Sequence, residues 1–228
     1  MCGGRGTRLG AVGADVEKPL VEVRGDPMID RVLAALSASR IDCVHAVVSP
    51  NAPATREHLH DRRVDASTDG DNAAAASVSI LNAPGDGYVA DLGYALERVE
   101  RPVLTVAADL PLLSAGIIDR VIDAAGDASL SVYVPVELKR GLGVSVDDET
   151  TTRRDGRAVA PTGVNVVDVD DGESEESGDG NSGYGDERSI VVDHERLAVN
   201  ANRPRDLQVA EALLRRRERT ETDYGSQS

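Results

Sequence analysis

Tryptophan and phenylalanine are absent from this 228-residue sequence, and aromatic residues make up only 2% of it. Its core must therefore be built from Val, Leu, Ile and Ala, within an apolar share of 40%. Lysine is nearly absent as well: of 25 basic residues only Lys18 and Lys139 are lysines. The two cysteines, Cys2 and Cys43, are too few for a disulfide framework and show no metal-ligand spacing. No apolar run reaches the length of a membrane span. The Gly- and Arg-rich start is not a signal peptide, so a cytoplasmic protein is expected. Positive charge is also in deficit. Forty acidic residues give a net charge of −15, which argues against nucleic acid or an anionic membrane as partner. An acid excess with so little lysine reads as adaptation to a salt-rich cytoplasm, where ions screen the self-repulsion.

What is present points to an α/β protein. Short β-branched runs alternate with helical patterns, as βαβ units do. Apolar residues at Ile29, Val32, Leu33 and Leu36 predict a helix over 27–39. Strands are expected over 43–48, 78–81, 102–107, 130–136 and 157–169. Further helices are expected over 55–62, 88–99, 114–125 and 204–217, the last with Pro204 at its first position. One domain over 1–217 fits the length. It is interrupted at about 170–188 by DVDDGESEESGDGNSGYGDERS, whose charge and low hydrophobicity mark a disordered insertion. Residues 218–228 read as a polar tail.

The chemistry is concentrated at the start, GGRGTRLG over 3–10, followed by Glu17-Lys18-Pro19. Gly3, Gly4 and Gly6 let backbone N–H groups approach phosphate oxygens without a Cβ in the way. Thr7 adds a hydroxyl donor, and Arg8 and Lys18 supply the charge a triphosphate demands. No GK[ST] follows, so this is not a P-loop, and Arg8 breaks the dinucleotide fingerprint. A second element is VLTVAADLP over 103–111. Its apolar strand delivers Asp109 to the C-terminal edge of the sheet, where ligands bind in open α/β folds. A lone carboxylate beside phosphates suits Mg²⁺.

The opening loop resembles that of the GlcNAc-1-phosphate uridylyltransferase type of nucleotidyltransferase. The resemblance implies an α/β, Rossmann-like fold: a mixed, mostly parallel sheet with helices on both faces. It further implies that Arg8 contacts the leaving pyrophosphate, that Lys18 contacts the transferring phosphate, and that Asp109 holds the metal. Four later segments narrow it: SPNAPATREHL (49–59), GDGYVADL (85–92), VAPTGVNVVD (159–168) and LAVNANRPRDLQVAEALL (197–214). With the loop, they look like the archaeal GTP:adenosylcobinamide-phosphate guanylyltransferases of cobalamin biosynthesis. That likeness implies GTP and adenosylcobinamide phosphate as substrates.

Each segment also has its own physical reading. Asn51 follows a strand and could read a base or ribose, or serve only as a turn residue. Gly85 and Gly87 precede a helix, where backbone could lie against a flat base or form an ordinary turn, and Asp91, one turn into it, could equally be a solvated face. Gly163 and Asn165 interrupt a strand interior, where glycine marks close approach of a ligand or backbone. Asn200 and Asn202 resemble the Asn-x-Asn element that lines the acceptor and metal side of this fold, or they cap the Pro204 helix. His58 and His60, two apart on a helix, face different ways and read as solvated. The rivals are a molybdenum-cofactor guanylyltransferase, a sugar-1-phosphate nucleotidyltransferase, or a nucleotide-binding protein without turnover. A strand–loop–helix phosphate site also calls for an apolar strand leading into the loop. Only Met1 and Cys2 precede Gly3, so the first strand is expected to be truncated, with the true start upstream.

Overall fold

The computed structural model describes residues 1–2, 9–10, 16–68, 77–168 and 188–225. The glycine loop residues Gly3, Gly4, Gly6, Thr7 and Arg8 lie outside the described residues, as does nearly all of the acidic insertion.

After the loop comes a 3₁₀ turn, Lys18–Leu20, with Pro19 buried in its first turn. A small hairpin follows, β1 (Glu22–Val23) and β2 (Asp26–Pro27), turning through Arg24 and Gly25 at positive φ. Helix α1 (Met28–Ser37) buries Ile29, Val32, Leu33 and Leu36, as their spacing requires. The unit β3 (Cys43–Val48), α2 (Pro53–Thr68), β4 (Ser77–Asn82) gives a parallel pair, with Cys43 opposite Ser77 and Val48 opposite Asn82. Helix α3 (Tyr88–Leu96) leads to β5 (Val103–Val106), and α4 (Ala115–Ala125) to β6 (Leu130–Pro135) and α5 (Val136–Leu142). Then come β7 (Thr152–Arg154), β8 (Arg157–Val167), β9 (Arg188–Val191), α6 (Glu195–Ala198) and α7 (Pro204–Gly225).

The second sheet runs β5-β8-β6-β9, with β7 also on β8. It is mixed, as expected; among the described residues the parallel strand pairs are β3–β4 and β6–β9, with a parallel bridge from Cys2 to Val48, and β8 is antiparallel to β5, β6 and β7. The local cause is a two-residue hairpin turn at Asp155-Gly156, both at positive φ. Such turns match strand twist and force an antiparallel return. Helices cover both faces. Val44, Ala46 and Val48 of β3 point into the main core with α1, and the intervening Val47 packs with Ala95 of α3 on the other side. Helix α7 continues to Gly225, past the expected end at Arg217, so most of the supposed tail is helical. Glu218 within it pairs with Arg24 of the β1–β2 turn at 2.8 Å.

Met1 and Cys2 lie between the two sheets. The Cys2 N–H donates to the Val47 carbonyl at 2.8 Å, and the Met1 ammonium donates to the Val106 carbonyl at 3.0 Å. Beside them a groove of about 730 Å³ runs between β3 and β5 over the apolar face of α1.

Candidate functional site

The carboxyl end of β5 sets the position of Asp109. Its carbonyl accepts the Ala201 N–H at 2.9 Å, which straps the Asn200–Asn202 segment alongside it. The Asp109 carboxylate is then engaged from two sides. Lys18 Nζ donates to Oδ2 at 2.5 Å, and Asn200 Nδ2 donates to Oδ1 at 3.3 Å. Lys18 also donates to Asn202 Oδ1 at 2.6 Å. The expected residues Lys18, Asp109, Asn200 and Asn202, drawn from three distant stretches of chain, thus form one hydrogen-bonded group. The Lys18 and Asp109 side chains keep only 17% and 16% exposure, so the pair is shielded yet reachable from the cleft.

That cleft is a cavity of about 400 Å³. Lys18, Asp109, Asn51, Gly85, Gly87 and Asp91 all contribute to its wall. Gly85 has φ +90°, and a Cβ there would meet Pro50 at 2.8 Å, so the residue must be glycine. Its N–H donates to Asp91 Oδ1 at 2.8 Å. Asp91, 6% exposed, therefore spends one oxygen on shaping the β4–α3 loop; it is not the solvated carboxylate its position allowed. Gly163 stands behind the site in a bulge of β8, where a Cβ would fall 2.8 Å from Ala107 Cβ and 3.7 Å from Asn200 Nδ2. The close approach expected at this glycine is thus to the Ala107 and Asn200 side chains. Asn165, further along β8 between Thr105 and Ser131, is not among the cavity-lining residues.

The two asparagines are not helix caps. Asp206, fully buried in the first turn of α7, reaches back to accept from the N–H groups of Asn202 and Arg203 just ahead of the helix at 3.0 and 2.8 Å, while the Asn202 side chain goes to Lys18. Three contributors escaped the sequence reading. Glu17 accepts from Ala54 N, Thr55 N and Thr55 Oγ1 at 2.9, 2.7 and 2.6 Å, so it caps α2 while anchoring the turn that carries Lys18. Its place directly before Lys18 was the available signal. Tyr88 lines the cavity mouth beside Gly87; desolvation, then the Asp109 charge, raise its pKa above the ordinary 10.0. Lys139 donates to Asn200 Oδ1, and burial lowers its pKa, opposed by Asp206 and Asp109.

Elsewhere, His58 is not simply solvated, because its Nε2 lies 2.9 Å from Asp30 Oδ1. Among the described residues no group of three or more His, Cys, Asp or Glu could hold a metal by itself, and no helix is long and apolar enough to cross a membrane. The donor set at Asp109 fits a magnesium ion that takes most of its ligands from substrate phosphates and water.

Comparisons with known proteins bear on the family and the fold. The family described as MobA-like NTP transferase domain matches residues 1–149. The adenosylcobinamide-phosphate guanylyltransferase of Methanocaldococcus jannaschii is 28% identical over 224 residues, covering 95% of this chain and 96% of the relative. Two solved structures share the fold. A Bacillus anthracis protein described as a glucose-1-phosphate thymidylyltransferase superposes with a TM-score of 0.61 at 15% identity, covering 93% of this chain and 92% of its own. The 4-diphosphocytidyl-2C-methyl-D-erythritol synthase of Anaerococcus prevotii reaches 0.56 at 16% identity, covering 85% and 91%.

Proposed function

From the premise that this chain belongs to the MobA-like NTP transferase family, we propose that it moves GMP from GTP to adenosylcobinamide phosphate, releasing pyrophosphate, as a step of cobalamin biosynthesis. The observation that carries the transferase reading is the Lys18–Asp109–Asn202 group on the wall of the 400 Å³ cavity. The base and acceptor follow the relative aligned over 95% of the chain. Work in a salt-rich cytoplasm fits the net charge of −15.

An acceptor phosphate oxygen attacks the α-phosphorus in line. The bond from that phosphorus to its bridging oxygen breaks, and pyrophosphate carries the electron pair away. The acceptor is already ionised, so no protein base or nucleophile is required, and catalysis is positioning plus charge neutralisation. Lys18, steered by Asp109 and Asn202, supplies a cation to the transferring phosphate. Gly3, Gly4, Gly6 and Thr7 offer donors to the remaining phosphates, and Arg8 meets the leaving pyrophosphate. Gly85, Gly87 and Asn51 form the wall for base and ribose. Asp109, with Asn200 beside it, would hold Mg²⁺, which when bound neutralises phosphate charge.

Pyrophosphate release with each of the four nucleoside triphosphates, in high KCl, tests this reading. GTP with adenosylcobinamide phosphate should turn over best. Equal or better turnover with molybdopterin or a sugar 1-phosphate would reassign the acceptor, and no release with any pair would remove the enzymatic reading.

A further inference from the structure

A lysine-poor chain places both of its lysines around one carboxylate. Lys18 reaches Asp109 from the cleft. Lys139 approaches from the protein interior, on α5, and is only 4% exposed. Its Nζ donates to the Ala198 carbonyl at 2.8 Å and to Asn200 Oδ1 at 3.1 Å. A buried ammonium is costly unless its protons are taken up and an opposite charge is near. Here two protons are used, and Asp206 and Asp109 are the acids that face it.

The consequence falls on Asn200. An ammonium can only donate, so it fixes which end of the amide is oxygen. The amide nitrogen must then point away from Lys139, and it meets two acceptors there, the Thr162 carbonyl at 2.9 Å and Asp109 Oδ1 at 3.3 Å. All groups in the chain Lys139–Asn200–Asp109–Lys18 are thus oriented by the one behind them. Without a cation at 139, the Asn200 amide oxygen loses its donor, and only the Thr162 and Asp109 acceptors still hold the amide against a flip. A flipped amide would aim its oxygen at the Asp109 carboxylate and repel it.

We propose that Lys139 is a positioning residue for nucleotidyl transfer, acting through Asn200 to hold the Asp109 carboxylate in the geometry that Lys18 and the substrate phosphates require. The inference rests on the transferase reading above. Outer partners of this kind are worth about 10–100-fold in activity or metal affinity.

Two measurements test it together. In the first, turnover of GTP with adenosylcobinamide phosphate is compared for wild type, Lys139→Met, Asn200→Ala and the double variant. Lys139→Met should lower kcat by about 10–100-fold while the KM for GTP moves little. If Lys139 acts through Asn200, the double variant should be no worse than the poorer single variant. Losses that multiply, or a Lys139→Met enzyme with normal kcat, would overturn the proposal. Should Lys139→Met fail to fold, Lys139→Gln, which keeps one amide donor in the same place, enters the same cycle. The second measurement does not need turnover. In protein labelled with ¹⁵N at asparagine, the Asn200 side-chain amide is assigned by its disappearance in Asn200→Asp. Its signal should shift and exchange faster with solvent in the Lys139 variant, and an unmoved signal would also overturn the proposal. A wild type that transfers no nucleotide would defeat the transferase reading, and this inference with it. An active wild type with independent losses would defeat this inference alone.

Discussion

Gly163→Ala isolates how tightly the sheet packs behind the site. The residue has φ +80°, and the new Cβ would stand 2.8 Å from Ala107 Cβ. Two costs arise. Holding an alanine in the left-handed region costs roughly 1–2 kcal/mol. Forcing a methyl into occupied space costs roughly a further 1–3 kcal/mol. The sum, about 2–5 kcal/mol, is a large part of the ~5–15 kcal/mol that holds a typical domain together. At ~2–4 °C per kcal/mol for a chain of this size, Tm should fall by about 4–20 °C. The same Cβ lies 3.7 Å from Asn200 Nδ2, so displacement of the bulge should also lower turnover. The second-site change Ala107→Gly separates the two costs. It removes the clashing methyl and should return the steric share of Tm while the backbone share persists. Thermal melts of the single and double variants decide the matter. A Gly163→Ala protein melting within 2 °C of wild type, or one that Ala107→Gly does not improve, would refute the packing argument.

Lys18→Ala and Arg8→Ala should each lower kcat/KM by at least ~100-fold, about 2.7 kcal/mol of transition-state stabilisation; folded variants with near-normal turnover would remove these residues from the mechanism. Glu17→Ala leaves the N–H groups of Ala54 and Thr55 without their acceptor, and should cost about 1–3 kcal/mol by urea denaturation and lower turnover by freeing the Lys18 turn. His194 is pushed below its ordinary 6.5 by desolvation first and Arg217 next, with Glu195 opposing and Arg120 adding to the depression. Its Nδ1 accepts the Arg196 N–H, a role for the neutral ring. The folded state therefore resists its protonation. The stability linked to it is full above pH 6.5 and is lost as pH falls through the depressed value. Urea midpoints at pH 7 and pH 5 should fall further for wild type than for His194→Asn, and equal falls would contradict this. Deleting residues 172–186 should leave turnover near normal, since the segment has nothing apolar to bury; a large loss would give the insertion a part in the site.

Local signals carried much of the fold. The 3.6-residue spacing of Ile29, Val32, Leu33 and Leu36 specified α1 because one buried face must recur at that period. The apolar run ending at Asp109 specified a strand with a carboxylate at its exit. Hairpins were missed where the signal was only two residues long, at Arg24-Gly25 and at Asp155-Gly156, and with the second went the antiparallel course of β8. Residue type and position marked Lys18 and Asp109, because phosphate and metal chemistry accepts few side chains, whereas Asn200 and Asn202 were marked by their resemblance to the Asn-x-Asn element of the nucleotidyltransferases. They could not say that Asn202 would serve Lys18, because the two lie 184 residues apart along the chain. Nor could composition do more than count Lys139, since its partners Ala198 and Asn200 lie about 60 residues away along the chain. The sequence by itself determined which chemical groups this protein has for handling phosphate. The tertiary structure decided which of them touch, because hydrogen-bond partners in a folded chain are chosen by distance and burial, and neither is written in the local pattern of residues.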